Sequence, residues 1–266
     1  MLEWNGEFRV IECGRALSPS GLEEMDYALN PYGGCEHGCI YCYAPGHTHS
    51  DLRDWRVVRV KRNIADRLSR ELPFAEGIIG IGTVTDPYQA AERRFRLTRS
   101  CLEILAERDR EIHIHTKSDL VLRDVDILSG MKGVVGITVT TVDDRVSKMT
   151  EPGAPLPSQR LRALEGLVDA GVRAYALVAP VMSTLEGREG ELVDALRGTG
   201  VGMVYHDPLN LRLVDTTRLD RMGIVPSRSA QAELRRLCEK AGIQGHDVLR
   251  WGHPDVCEPR PPSVVP

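Results

Sequence analysis

The sequence predicts an α/β protein in which parallel strands alternate with helices. Three observations carry that prediction. Short β-branched runs bounded by Gly and Pro recur along the chain, as buried parallel strands do. The stretches between them repeat apolar residues every three or four positions, as helices covering a sheet do. The chain has 266 residues, enough to bury a core without disulfides or metal.

The clear strand runs are Ile78–Gly82, Ile112–Thr116, Val134–Thr140, Arg173–Ala179 and Val201–Tyr205. Tyr27–Asn30 precedes them as a sixth strand, first in chain order. Between the runs, Ile64–Leu72 sets Ile64, Leu68 and Leu72 on one helical face. Arg93–Glu107 does the same with Leu97, Cys101, Ile104 and Leu105, and Ser158–Ala170 with Leu161, Leu164 and Val168. Gly171 then stands where a helix ends. Leu185–Leu196 is interrupted by Gly187 and Gly190, which predicts a short helix near its end. Strands alternating with helices imply βαβ units with right-handed crossovers. Ligands in barrels of this kind sit at the C-terminal strand ends.

The formal charge is −4, from 34 basic and 38 acidic residues, which argues against general attraction to nucleic acid but leaves room for a local basic cleft. No run approaches the roughly eighteen apolar residues of a membrane span. The N-terminus has neither a basic start nor an apolar stretch, so a cytoplasmic, non-membrane protein is expected.

The strongest functional signal is Cys35-Glu-His-Gly-Cys39-Ile-Tyr-Cys42, three cysteines within eight residues. A structural zinc site closes with four protein ligands, and a [4Fe–4S] cluster normally takes four cysteines. Three thiolates leave one iron open to a small molecule. His37, His47 and His49 lie near enough in sequence to complete a zinc site instead, so a zinc-binding structural module is the competing reading. Cys13, Cys101, Cys238 and Cys257 form no second pair, and seven cysteines is an odd count for a disulfide framework.

C-x3-C-x2-C with an aromatic before the third cysteine resembles the signature of radical S-adenosylmethionine (SAM) enzymes. Thr85-Asp-Pro-Tyr-Gln-Ala-Ala-Glu92, followed by Thr116-Lys-Ser-Asp-Leu and Arg123-Asp124, sharpens this to a resemblance to the spore photoproduct lyase-related branch. It runs from about Leu29 to Asp144 and more loosely to Tyr205. The resemblance implies a partial (β/α)6 TIM-type barrel over residues 27–205, an N-terminal cap over 1–26 and a C-terminal extension over 206–266. It implies a [4Fe–4S] cluster on Cys35, Cys39 and Cys42, with SAM chelated by the open iron. An electron would cleave SAM to methionine and a 5′-deoxyadenosyl radical that abstracts hydrogen from a substrate. A flavodoxin- or ferredoxin-like donor would supply that electron.

By the same resemblance, Tyr41 sits near the cluster or the adenine, against the alternative of plain core packing. Lys117 pairs with the SAM carboxylate, against a solvated lysine. Thr138 or Thr140 holds the ribose, and Thr83, Thr85 and Asp86 line the methionine side, against ordinary strand packing. Glu92 and Arg123 read as a structural ion pair. Spore photoproduct lyase uses a cysteine as hydrogen donor at the end of its second strand, whereas Gly82-Thr-Val-Thr85 has none. That departure counts against a nucleic-acid photoproduct lyase acting by the same route, with Cys13, Cys238 and Cys257 as the other thiols and Cys238 reading as buried and inert.

Asp54–Arg62 mixes basic and apolar residues, so it reads as an extended segment with one basic face beside Trp55, facing either solvent or nucleic-acid phosphates. His206–Asn210 and Trp251–His253 are candidates for the open side of the barrel. Pro259–Pro266 reads as an extended tail.

Overall fold

The structure, a computed structural model, describes residues 8–247. Its strands in chain order are β1 (Phe8–Ile11), β2 (Leu17–Pro19), β3 (Tyr27–Leu29), β4 (Tyr32–Gly33), β5 (Val58–Lys61), β6 (Ile79–Ile81), β7 (Ile112–Thr116), β8 (Gly133–Thr138), β9 (Ala174–Val181), β10 (Met203–Pro208) and β11 (Gln244–Asp247). The helices are α1 (Ala44–His47), α2 (Leu52–Arg56), α3 (Ile64–Glu71), α4 (Ala90–Phe95), α5 (Leu97–Glu107), α6 (Val125–Leu128), α7 (Asp144–Thr150), α8 (Pro157–Asp169), α9 (Glu189–Gly198), α10 (Thr217–Met222) and α11 (Arg228–Lys240).

Eight strands form one sheet in the order β11-β10-β9-β8-β7-β6-β3-β2. All neighbours from β3 to β11 run parallel, and only β2 pairs antiparallel with β3. This is the partial TIM-type barrel, open between β2 and β11 among the described residues. The six expected strands are all present. A seventh parallel strand, β11, follows α11. Its sequence Gln-Gly-His-Asp carries no apolar run, so the strand is set by pairing with β10 rather than by composition. A second sheet of three strands, ordered β1-β5-β4, lies beside the barrel.

Alternation along each strand sorts the two faces. Ile112, Ile114, Val135, Ile137, Ala176, Val178 and Val204 join Leu68 of α3, Leu102 and Leu105 of α5, Leu164 and Leu167 of α8, Leu192 and Leu196 of α9 and Leu234 of α11 in the main core. Full burial of each such aliphatic side chain stabilises the fold by about 2 kcal/mol. The alternate residues face inward. There the His113 imidazole meets the Tyr175 hydroxyl at 2.7 Å, His115 contacts the same hydroxyl, and Tyr175 packs against Tyr205. Gly136, directly beside Tyr175 in the sheet, makes that arrangement fit, since a Cβ there would meet the phenol ring at 2.4 Å. Burial holds both imidazoles neutral and pushes His115 down to about 4.

Three departures from the sequence reading have local causes. The helix expected over Arg93–Glu107 is broken at Arg96, which is left-handed at φ 51°, so α4 and α5 meet at an angle. The Glu92 carboxylate caps α5 by accepting from the backbone of Thr98 (2.9 Å) and Arg99 (3.2 Å), and Arg123 neutralises it at 2.6 Å. Asp54–Arg56 is the last turn of α2, and the extended segment is confined to Val58–Lys61. Trp55 is buried, so it offers nothing to a surface ligand. His206 is fully buried against α11, with Nδ1 3.2 Å from the Gln231 amide, and does not line the open side. Cys257, Trp251, His253 and the Pro-rich tail lie outside the described residues. No helix among the described residues is long and apolar enough to cross a membrane.

Candidate metal and cofactor centre

Because β3, β6, β7 and β8 are parallel neighbours, the segments that follow them emerge at one edge. The cysteine loop follows β3 and β4, Thr83–Asp86 follows β6, Lys117 follows β7 and Thr140 follows β8. The structure therefore brings all ten predicted site residues to the same end of the sheet.

The cysteine loop is held from below by backbone groups. Cys35 N–H donates to the Trp55 carbonyl (3.2 Å), Ile40 N–H to Thr150 (2.9 Å) and Cys42 N–H to Cys39 (3.3 Å). Gly34 allows the close approach. It has φ +81°, and a Cβ there would meet the Trp55 carbonyl oxygen at 2.3 Å. We expect Gly34→Ala to cost on the order of 2 kcal/mol or more, from left-handed strain plus that clash. The thermal midpoint and iron uptake should fall together, and an unchanged midpoint would contradict the close packing described.

Side chains from the β6 segment complete the support. Thr85 donates to the Gly34 carbonyl at 2.6 Å, and the Gln89 amide donates to the same carbonyl (3.2 Å) and to Thr85 (3.0 Å). Gln89 also accepts from Glu36 N–H at 2.9 Å. Asp86 accepts from Thr116 Oγ1 (2.7 Å), Lys117 N–H (2.8 Å) and Tyr88 N–H (2.9 Å), and its carboxylate lies 3.4 Å from His37 Nδ1. Thr83 accepts from Asn30 Nδ2 at 3.0 Å, and its carbonyl accepts from Tyr43. Thr85 and Asp86 are thus committed to fixing the loop, and Thr83 to linking it with the end of β3.

The charged centre lies under the loop. Glu151, fully buried, accepts from the Tyr41 hydroxyl and from Thr140 Oγ1 (3.0 Å) and pairs with Arg160. Lys117 Nζ stands 4.0 Å from the same carboxylate and 5.6 Å from the centre of the Tyr41 ring, within cation–π range. Burial alone would raise the Glu151 carboxyl, but Arg160 and Lys117 hold it below the usual range. Arg160 also donates to the Pro155 carbonyl (2.8 Å) and the Thr138 carbonyl (3.3 Å). Two cations therefore share one carboxylate, and Arg160 has the closer claim. Thr138 is buried at the end of β8.

The loop brings three thiols together. Burial raises all three thiols, Cys39 to about 12, and Cys35 is raised further by both Cys39 and Cys42, so the sulfurs are electrostatic neighbours. A bound metal centre would replace those protons. Yet among the described residues no three His, Cys, Asp or Glu side chains gather tightly enough for a single ion. Zinc would need each sulfur at about 2.3 Å from one point. His37 is turned to Asp86, and His47 and His49 are exposed, so none of the three completes a zinc site with the cysteines.

Sequence reasoning did not find Glu151, Arg160, Gln89 or Asn30. Gln89 lies within the Thr85–Glu92 motif and Asn30 ends the first strand run, whereas Arg160 and Glu151 were marked only as an arginine on the buried side of the α8 pattern and a glutamate just before a proline.

The family model described as the radical SAM superfamily matches residues 29–196. An uncharacterized protein of Methanocaldococcus jannaschii is 32% identical over 184 residues, covering 67% of this chain and 69% of that protein. An uncharacterized protein of Mycobacterium tuberculosis is 34% identical over 207 residues, covering 72% of this chain and 60% of that protein. Among solved structures, a spore photoproduct lyase double mutant with bound AdoMet and dinucleoside spore photoproduct superposes with a TM-score of 0.69 at 15% identity, covering 91% of this chain and 81% of that one.

Proposed function

The chain belongs to the radical SAM superfamily, and on that premise we propose that Cys35, Cys39 and Cys42 hold a [4Fe–4S] cluster that binds SAM, in an enzyme that abstracts hydrogen from its substrate. One observation carries the reading: a cation, Lys117, acts on Cys39 and Cys42 of the three-cysteine loop, and its nearest carboxylate is already taken by Arg160. When bound, the cluster supplies the electron that cleaves SAM to methionine and a 5′-deoxyadenosyl radical.

The chain's own residues bind and orient. Lys117 offers its ammonium to the SAM carboxylate as a point charge. The Thr138 hydroxyl is offered to the ribose. Thr140 acts through Glu151, which also fixes the Tyr41 ring against the loop. Thr83, Thr85 and Asp86 shape the methionine side, the last two by holding the loop in place. The electron comes from a reducing partner of flavodoxin or ferredoxin type.

The reading is tested at Lys117. Losing a charge-assisted contact of about 1.5–3 kcal/mol predicts that Lys117→Gln weakens SAM binding by roughly ten- to a hundredfold. Equilibrium dialysis of labelled SAM against the iron-loaded protein measures this, and unchanged affinity would reject the assignment. Photoproduct repair by a strand-end thiol is not supported by the site: Gly82–Thr85 carries none, and Cys101 and Cys238 are buried among the helices.

A further inference from the structure

A cavity of about 180 Å³ lies between β2, the end of β3 and the end of β5. Arg15, Ser18 and Lys61 give it a polar side, and Leu17, Pro19 and Ala28 an apolar wall. None of these six residues belongs to the cysteine loop or to the strand-end segments that hold it. The volume corresponds to about six water molecules at liquid density. It is smaller than the pockets of about 300 Å³ and more that enclose drug-sized ligands.

Two cations meet this cavity and no carboxylate answers them. Among the described residues, neither Arg15 nor Lys61 forms an ion pair. Glu12 is taken by Arg62, and Glu71 accepts instead from the backbone of Ala16 (3.0 Å) and Leu17 (2.9 Å). Lys61 is half-buried, and burial lowers its pKa. Its ammonium has three donors and gives one, to the Asn30 carbonyl at 2.8 Å. The Arg15 guanidinium gives none. The Asn30 side chain is committed elsewhere, donating to Thr83 Oγ1 (3.0 Å) and accepting from Val84 N–H (3.3 Å). A partly desolvated ammonium with no counter-charge is unfavourable, so the cavity is electrostatically incomplete as it stands.

We propose that this cavity is a binding site for a small dicarboxylate, with one carboxylate on the Lys61 ammonium, the other on the Arg15 guanidinium, and the carbon chain against Leu17, Pro19 and Ala28. Two uncompensated cations call for two negative charges. The planar Arg15 fork matches a carboxylate, and Lys61 meets the other as a point charge. The apolar wall suits a short methylene body, which inorganic phosphate does not have. Phosphate sites also draw on successive backbone N–H groups, and those of Ala16 and Leu17 are already taken by Glu71. The volume admits a small acid and not a nucleotide. The site uses none of the residues assigned to the cluster or to SAM, so it goes beyond the enzyme reading and stands or falls apart from it.

The test is calorimetric titration of succinate into the iron-loaded full chain at low ionic strength, for the unaltered protein, Lys61→Gln and Arg15→Gln. The unaltered protein should bind succinate saturably, and less tightly as salt is added. Lys61→Gln should weaken binding roughly tenfold or more, because its charge is partly buried. Arg15→Gln, at an exposed position, should weaken it roughly two- to fivefold. The thermal midpoint of Lys61→Gln without ligand should hold, since the glutamine amide can still donate to the Asn30 carbonyl and no charge is left desolvated. Succinate should raise the midpoint of the unaltered protein more than that of Lys61→Gln. Acetate or inorganic phosphate binding as tightly as succinate would overturn the dicarboxylate assignment. So would uncharged succinamide binding as tightly, unchanged affinity in Lys61→Gln, or no saturable binding by the unaltered protein.

Discussion

Cys39→Ala should bring reductive SAM cleavage down to the uncatalysed background. The argument is stoichiometric. Three thiolates are already one fewer than a cubane cluster normally takes, and two leave a second iron without a protein ligand. The loss should show first in the metal: iron and sulfide per chain fall, and 5′-deoxyadenosine falls with them. Folding should survive, because the loop is held by backbone bonds such as Ile40 N–H to Thr150 and by Thr85 on Gly34, none of which uses the Cys39 thiol. Cys39→Ser, nearly isosteric, should behave the same way. Cys13→Ala should keep full iron and full cleavage, since its structural contacts are backbone bonds with Asn63. Retained cleavage in Cys39→Ala would remove the ligand assignment.

Arg160→Met should be the most destabilising single change at the site, by about 3–5 kcal/mol near neutral pH, the usual result of stranding one partner of a buried pair. Glu151 would keep Tyr41 and Thr140 as donors but would have only Lys117, 4.0 Å away, as counter-charge. The pH dependence follows from the sign of the shift. In the unaltered protein the Glu151 carboxyl is held below its unfolded value, so its stabilisation is present above the unfolded pKa and is lost as pH falls through the folded one. In the variant burial prevails and the folded pKa rises above the unfolded one. The deficit should therefore shrink as pH falls toward the carboxylate range, where the buried acid is neutral. Denaturant midpoints across pH measure both. A deficit that does not change with pH would show that Arg160 acts through packing alone.

Much of this arrangement was legible in the chain. The strands β6 and β8 declare themselves because their apolar runs are buried on both faces, and β7 because Ile112 and Ile114 alternate with His113 and His115. The cysteine loop is legible because its three cysteines fall within eight residues, whereas Glu151 and Arg160 meet only after α7 and α8 fold back and each is a lone polar residue in sequence. β11 escaped because Gln-Gly-His-Asp has no apolar run to mark it. The break at Arg96 escaped because Glu92 caps α5 across a turn, which periodicity does not encode. Asp54–Arg62 was half read. Arg59 and Lys61 do alternate with buried Val58 and Val60, but Trp55 lies in α2 and is buried, with its carbonyl accepting from Cys35 N–H. The threonines lie in the segments at the strand ends, where Thr85 and Thr140 donate their hydroxyls to the Gly34 carbonyl and to Glu151.

The most direct test of the account uses the unaltered chain. The protein is loaded with iron and sulfide without oxygen, given SAM and dithionite, and assayed for 5′-deoxyadenosine. The account predicts a brown protein that binds iron and sulfide and forms 5′-deoxyadenosine only when SAM and reductant are both present. A colourless protein that retains zinc, or an intact cluster that leaves SAM uncleaved, would contradict it.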